Sequence, residues 1–170
     1  MIHEFKGMLP KLGEGVYIAP GAHVIGDVEI GNHSSIWFNT VVRGDVDAIR
    51  IGHNTNIQDS CVCHVMNDEY PLLLGDYVTV GHSVTLHGCE IESHCLIGMG
   101  SIILNDVQIA EGSIVAAGSL LTEGMKVPSQ SLVMGMPAKV KRGLSREEVD
   151  SIGEYAKRYV EYKNEYLRNT

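Results

Sequence analysis

The stretch IESHCLIGMGSIILNDVQIAEGSIVAAGSLL, residues 91–121, decides the fold. Its large aliphatic residues fall at Ile91, Ile97, Ile103, Ile109, Val115 and Leu121, a period of six that continues through Val127 to Val133. Upstream the same period runs in three blocks: Ile18, Val24, Ile30, Ile36 and Val42; then Ile51, Ile57 and Cys63; then Leu74, Val80 and Leu86. Four places after these positions stands a small residue as a rule, as at Ser34, Thr40, Thr55, Cys61, Cys95, Ser101, Ser113 and Ser119. Gly or Ala often follows directly, at Gly31, Gly52, Gly75, Gly81, Gly98, Ala110 and Ala116.

A period of six fits neither a helix at 3.6 nor an ordinary strand at two. It fits a coil of hexapeptides, each one short strand and one turn. Three units close a triangle, with the large and small residues inside and glycines easing the corners. Each buried aliphatic side chain contributes about 1.5–3 kcal/mol, so the stack supplies a core without disulfides. The expectation is an all-β solenoid. Residues 1–138 form the coil with a short N-terminal lead-in, and 139–170 form a linker and helix of the same structural unit.

Three breaks interrupt the period. Three extra residues lie between Val42 and Ile51, five between Cys63 and Leu74, and one too few between Leu86 and Ile91. The five-residue excess, within Met66 to Leu73, reads as a corner loop carrying Asp68 and Glu69. Beyond the coil, GMPAKVKR at 135–142 holds a proline that stops it and a basic run. Ser145 with Glu148 three places on is a capping box, so a helix begins there. Val149, Ile152, Ala156, Tyr159, Lys163 and Tyr166 then recur at helical spacing, a stripe that packs on an outer face of the coil.

Composition narrows the function. The 170 residues are 44% hydrophobic and 20% charged, with a net charge of −8, the balance of one globular unit. No cationic cluster offers the counterion release that nucleic-acid binding needs, so no nucleic-acid partner is expected. No apolar run approaches a membrane span, and Met1 to Pro10 lacks the apolar segment of a secretory signal. A cytoplasmic protein without membrane contact is the expectation. Cys61 and Cys95 take the small inward position and Cys63 an aliphatic one, the buried thiols of a reduced compartment. Cys89 is expected to face outward beside His87.

Three histidines acquire meaning from the register. His64 and His87 each follow an inward residue on the same face of successive coils, so they stack about 4.8 Å apart and point outward. His82 stands two places after Val80 on another face. One outward column reads Arg43, His64, His87; the other reads Phe38, Asp59, His82, Met99. If the first column of one chain met the second of a neighbour, three imidazoles would converge and Arg43 would meet Asp59 one layer below. Such a contact joins different surfaces head to tail, and a three-sided prism suggests closure as a homotrimer. Three imidazoles with open positions are the ligand set of a catalytic zinc. His3, His23, His33, His53 and His94 join neither column and read as surface residues. Imidazoles suit Zn²⁺, Fe²⁺ and Co²⁺ alike.

Arg43-Gly44-Asp45, Asn56-Ile57-Gln58-Asp59, His64 and the run from Gly81 to Gly88, GHSVTLHG, resemble the motifs of the γ-class carbonic anhydrase family. The resemblance covers nearly the whole chain. It implies a left-handed parallel β-helix, against the usual right-handedness of parallel crossovers. It also implies a homotrimer whose metal lies between subunits, held by His64 and His87 of one chain and His82 of the next. Arg43 and Asp59 would be its intersubunit ion pair, Asp45 a further interface aspartate, Asn56 structural support and Gln58 the polar residue near metal-bound solvent. Tyr159, in Ala156-Lys157-Arg158-Tyr159, would reach the site from the helix. The implied activity is reversible hydration of carbon dioxide to bicarbonate by metal-bound hydroxide. Val46 stands where the best-studied branch carries a proton-shuttling glutamate, with Asp68 and Glu69 the nearest substitutes. Two alternatives remain open: an acyl-CoA-dependent hexapeptide acyltransferase, and a metal-stabilised trimeric scaffold with little catalysis.

Overall fold

The period of six becomes three stacked ladders of inward side chains. On the first face Val24, Val42, Cys63, Leu86, Ile103 and Leu121 pair in register from coil to coil. On the second the order is Ile30, Ile51, Leu74, Ile91, Ile109 and Val127. On the third it is Ile18, Ile36, Ile57, Val80, Ile97, Val115 and Val133. Every one of these pairings is parallel, and apart from the half-buried Ile18 every side chain in the ladders is buried. The computed structural model, which describes residues 1–168, is thus a left-handed parallel β-helix of about seven coils with a single C-terminal helix, Arg146–Arg168.

The small inward residues have a second use besides fitting the corner. Ser34 Oγ donates to Gly52 O at 2.7 Å, Thr40 Oγ1 to Gln58 O at 2.6 Å and Thr55 Oγ1 to Gly75 O at 2.8 Å, each reaching the next coil. Only a short side chain can satisfy a buried carbonyl there without displacing the aliphatic layer.

The corners differ from expectation. Left-handed backbone falls three places after the aliphatic residue, at His33, Asn39, Asn54, Ser60, Tyr77, Ser83 and His94 among others, and most of these are not glycine. Gly31 and Gly52, directly after the aliphatic residue, answer to close approach instead: a Cβ on Gly52 would stand 2.5 Å from the Gly75 carbonyl carbon.

The breaks in the period resolve individually. The excess at Val42 to Ile51 produces no loop; Val41–Ile51 is one strand of 11 residues that bends from the first face onto the second. The five-residue excess is a loop closed by an antiparallel bridge between Met66 and Tyr70, and Asp68 N donates to Val46 O at 3.2 Å, so the two excesses lean on each other. The missing residue after Leu86 moves Cys89 inward, overturning its expected exposure. Counted back from Ile91, Cys89 holds the small inward position, and it is buried. Residues 138–143 are also more ordered than a linker: Ala138–Gly143 is a strand pairing antiparallel with Ser131–Gly135.

The helix starts as its capping box requires. Ser145 N donates to Glu148 Oε2 at 2.8 Å, and Glu148 N to Ser145 Oγ at 3.2 Å. It lies across the third face, over Ser35–Ile36, Asn56–Ile57 and Thr79–Val80, burying Ile152, Ala156 and Lys163. Tyr159 and Tyr166 from the same stripe pack edge-on against Trp37 at centroid distances of 5.4 Å. Among the described residues no helix is long and apolar enough to cross a membrane.

Candidate metal centre

The strand Val62–His64 pairs with Thr85–His87 so that His64 and His87 are direct register partners. Their side chains lie outside the coil, and His64 Nδ1 stands 3.2 Å from His87 Nε2. The outer nitrogen of His64, Nε2, meets Asp45 Oδ1 at 2.9 Å. Arg43, one layer down, also pairs with Asp45 within the same chain. Burial pulls the Asp45 carboxyl up, but hydrogen bonds from His64 and Arg43 together with the Arg43 charge outweigh it and hold the group below the usual aspartate range. His87 Nδ1 faces Asn105 Oδ1 at 2.6 Å. Arg43, Asp45, His64 and His87 therefore form one cluster, on the first face.

The second cluster belongs to the third face. His82 Nδ1 meets Asp59 Oδ2 at 2.6 Å, and both side chains are partly exposed. Asp59 Oδ1 in turn accepts from Phe38 N at 3.2 Å, so the column Phe38, Asp59, His82 is continuous as the register requires. Asn56 Nδ2 donates to Thr79 Oγ1 at 2.9 Å, and Gln58 Nε2 donates to Asn56 Oδ1 at 3.3 Å, which leaves the Gln58 carbonyl oxygen available. A cleft of about 380 Å³ lies between this face and the helix, lined by Gln58, His82, Met99, Arg158 and Tyr159. Burial, followed by the charges of Asp59 and Tyr162, pushes the Tyr159 hydroxyl above its ordinary range.

The nine site residues read from the sequence thus fall into two groups, Arg43, Asp45, His64 and His87 against Asn56, Gln58, Asp59, His82 and Tyr159. Among the described residues no three His, Cys, Asp or Glu side chains of one chain are grouped to hold an ion. Asn105 escaped the sequence reading, because its place beside His87 depends on the corner one coil above; an Asn at a fixed offset from the next aliphatic layer was the available signal. His3 also departs from expectation. It pairs with Ile25, which pairs with Arg43, so it stands at the foot of the His64 column, and its Nε2 lies 3.0 Å from His23 Nδ1. Burial pushes the Cys61 thiol up to about 11, the Cys63 thiol well above its ordinary range and the Cys89 thiol to about 12, so none of the three is a ready thiolate.

Such a coil, carrying a histidine pair on one outer face and a histidine–aspartate pair on another, defines a hexapeptide-repeat β-helix protein with a candidate metal centre. A family model described as bacterial transferase hexapeptide (six repeats) matches residues 10–44 and 88–123. More narrowly, the chain belongs to the γ-class carbonic anhydrase family. It is 44% identical over 168 residues to the carbonic anhydrase of Geobacillus kaustophilus, covering 99% of this chain and 91% of that protein. It is 44% identical over 156 residues to the mitochondrial gamma carbonic anhydrase 2 of Arabidopsis thaliana, covering 89% of this chain but only 56% of the plant protein. Among solved structures, a Bacillus cereus protein with a provisional acetyltransferase name superposes with a TM-score of 0.97 at 45% identity, covering 99% of this chain and 98% of that one.

Proposed function

We propose that the protein is a carbonate dehydratase that works as a homotrimer, with a Zn²⁺, or Fe²⁺ or Co²⁺ in its place, held by His64 and His87 of one chain and His82 of the next. The observation that carries this reading is the 3.2 Å between His64 Nδ1 and His87 Nε2. Two nitrogens on a tetrahedral zinc, each bound at about 2.0–2.1 Å, stand about 3.3 Å apart. The donor chemistry fits as well. Ligating histidines characteristically give their other ring N–H to a carboxylate, and Asp45 serves His64 as Asp59 serves His82.

The trimer supplies what one chain lacks. The outward row of the first face, Val41, Val62, Thr85, Ile102 and Leu120, is apolar apart from Thr85, and Val62 and Ile102 are 46% and 36% exposed. Covering that row with a neighbour's third-face edge brings His82 to the histidine pair and lets Arg43 reach the neighbour's Asp59.

The ion, when bound, supplies the Lewis acidity that makes a water nucleophilic near neutral pH. The chain's own groups do the rest. The Gln58 carbonyl, with its amide turned toward Asn56, is free to accept a hydrogen bond from a water or substrate in the cleft and orient it. Leu96 and Met99 in the same cleft offer carbon dioxide an apolar seat. Tyr159 closes the cleft from the helix side, and its raised pKa keeps it a neutral donor.

The test combines metal analysis with stopped-flow carbon dioxide hydration. About one metal per chain is expected, with His64→Ala losing both metal and catalysed hydration. A second reading, acyl transfer from acetyl-CoA, draws support from the cleft, which is several times larger than carbon dioxide needs, and from the acetyltransferase name of the Bacillus cereus protein. Metal-free protein that acetylates an amine acceptor would establish that reading over the first.

A further inference from the structure

An amide oxygen cannot donate a hydrogen bond, so the 2.6 Å contact between Asn105 Oδ1 and His87 Nδ1 requires the proton to sit on Nδ1. A neutral imidazole has one N–H; His87 Nε2 therefore carries a lone pair. The same logic applies across the gap. The Asp45 carboxylate, which also takes a hydrogen bond from Arg43, accepts from His64 Nε2, so His64 Nδ1 is left as the ring's acceptor nitrogen. In these two tautomers His64 Nδ1 and His87 Nε2 stand 3.2 Å apart as a pair of ligand nitrogens.

We infer that Asn105 is a positioning residue for the metal centre: it fixes His87 in the Nδ1–H tautomer and so presents Nε2 as a ligand beside His64 Nδ1. The local chain is built to allow the contact. Asp106 N donates to Gly88 O at 2.8 Å, which ties the Asn105 corner to the corner directly after His87. Gly88 has a φ of +56°, and a Cβ there would stand 2.8 Å from Asn105 Oδ1, so any other residue would crowd the amide away from the imidazole. His64 and His82 receive this service from carboxylates, whereas His87 receives it from a neutral amide. The choice limits the negative charge around the cluster while still setting the tautomer.

The inference rests on the metal reading above, and one set of variants separates the two. Asn105→Leu keeps the side chain's approximate size and removes the acceptor; Asn105→Asp keeps an acceptor and cannot present an N–H. In full-length protein stripped of metal, long-range ¹H–¹⁵N NMR of the imidazoles is expected to show His87 as the Nδ1–H tautomer in wild type and Asn105→Asp, and as Nε2–H in Asn105→Leu. In zinc competition against a chelator, Asn105→Leu is expected to bind roughly 10–100-fold more weakly, with Asn105→Asp restoring most of the affinity. A folded Asn105→Leu variant with the wild-type tautomer and wild-type zinc affinity would overturn the role of Asn105 and leave the metal reading standing. Wild-type protein that takes up no zinc, iron or cobalt would overturn both.

Discussion

The first and third faces of the coil share one core grammar and differ only in what points outward. Under the helix, the outward row of the third face is Tyr17, Ser35, Asn56 and Thr79, all buried, with Asn56 bonded to Thr79 and Trp37 Nε1 donating to Ser35 Oγ at 2.9 Å. On the first face the equivalent row is Val41, Val62, Thr85, Ile102 and Leu120, and its middle stays exposed. A polar row already satisfied inside the chain accepts the chain's own helix. An apolar row beside two histidines stays open, and in the proposed trimer it receives a neighbour. The inward aliphatic layers specify the solenoid, and the outward rows specify what each side of it meets.

The strongest way to break this contrast is to charge the bare face. Val62→Arg combined with Ile102→Arg leaves the core ladder untouched and is expected to turn the proposed trimer into monomers that retain no stoichiometric zinc. Sedimentation and metal analysis read both effects, and a doubly charged variant that stays trimeric would dismiss the first face as the interface. The covered face yields to a smaller change. Ile152→Ala, at a side chain buried between helix and coil, is expected to cost about 2–5 kcal/mol in denaturant unfolding. A loss below about 1 kcal/mol would transfer the docking energy to the aromatic cluster around Trp37.

The smallest effect sharpens the comparison at the start of the helix. Ser145→Ala is expected to cost about 1 kcal/mol through the lost cap. Glu148 adds a pH signature. Hydrogen bonds from Arg142 and then from the Ser145 backbone hold its carboxyl at about 2, below its ordinary 4.5. The folded state therefore favours the carboxylate. Its contribution is complete above 4.5 and fades as pH falls through about 2, and thermal melts of Glu148→Gln across that window should lose this component of the acid sensitivity.

Much of this was legible in the sequence because the coil converts spacing into position. A period of six with faithful aliphatic residues is enough to place His87 over His64 and His82 over Asp59, two contacts separated by 23 residues in each case. What escaped is what the period does not govern. Cys89 sits where the count is one residue short, so counting forward and counting backward disagree, and the core layer at Ile91 wins. The strand Ala138–Gly143 follows the coil and reverses direction, for which a hexapeptide count has no place. Left-handed corners at Ser60 and Tyr77 were hidden because these residues do not signal positive φ as glycine does. Asn105 was missed for a related reason: its partner is fixed by the geometry of two corners rather than by a ladder.

Trp37 is the chain's single tryptophan, edge-on to Tyr17 at 5.6 Å and to Tyr159 at 5.4 Å. All of the protein's indole emission therefore originates from one chromophore placed between coil and helix, next to the tyrosine that lines the cleft. The molecule carries its own optical gauge, and any event that lifts the helix or fills the cleft registers as a change in colour or intensity without a label.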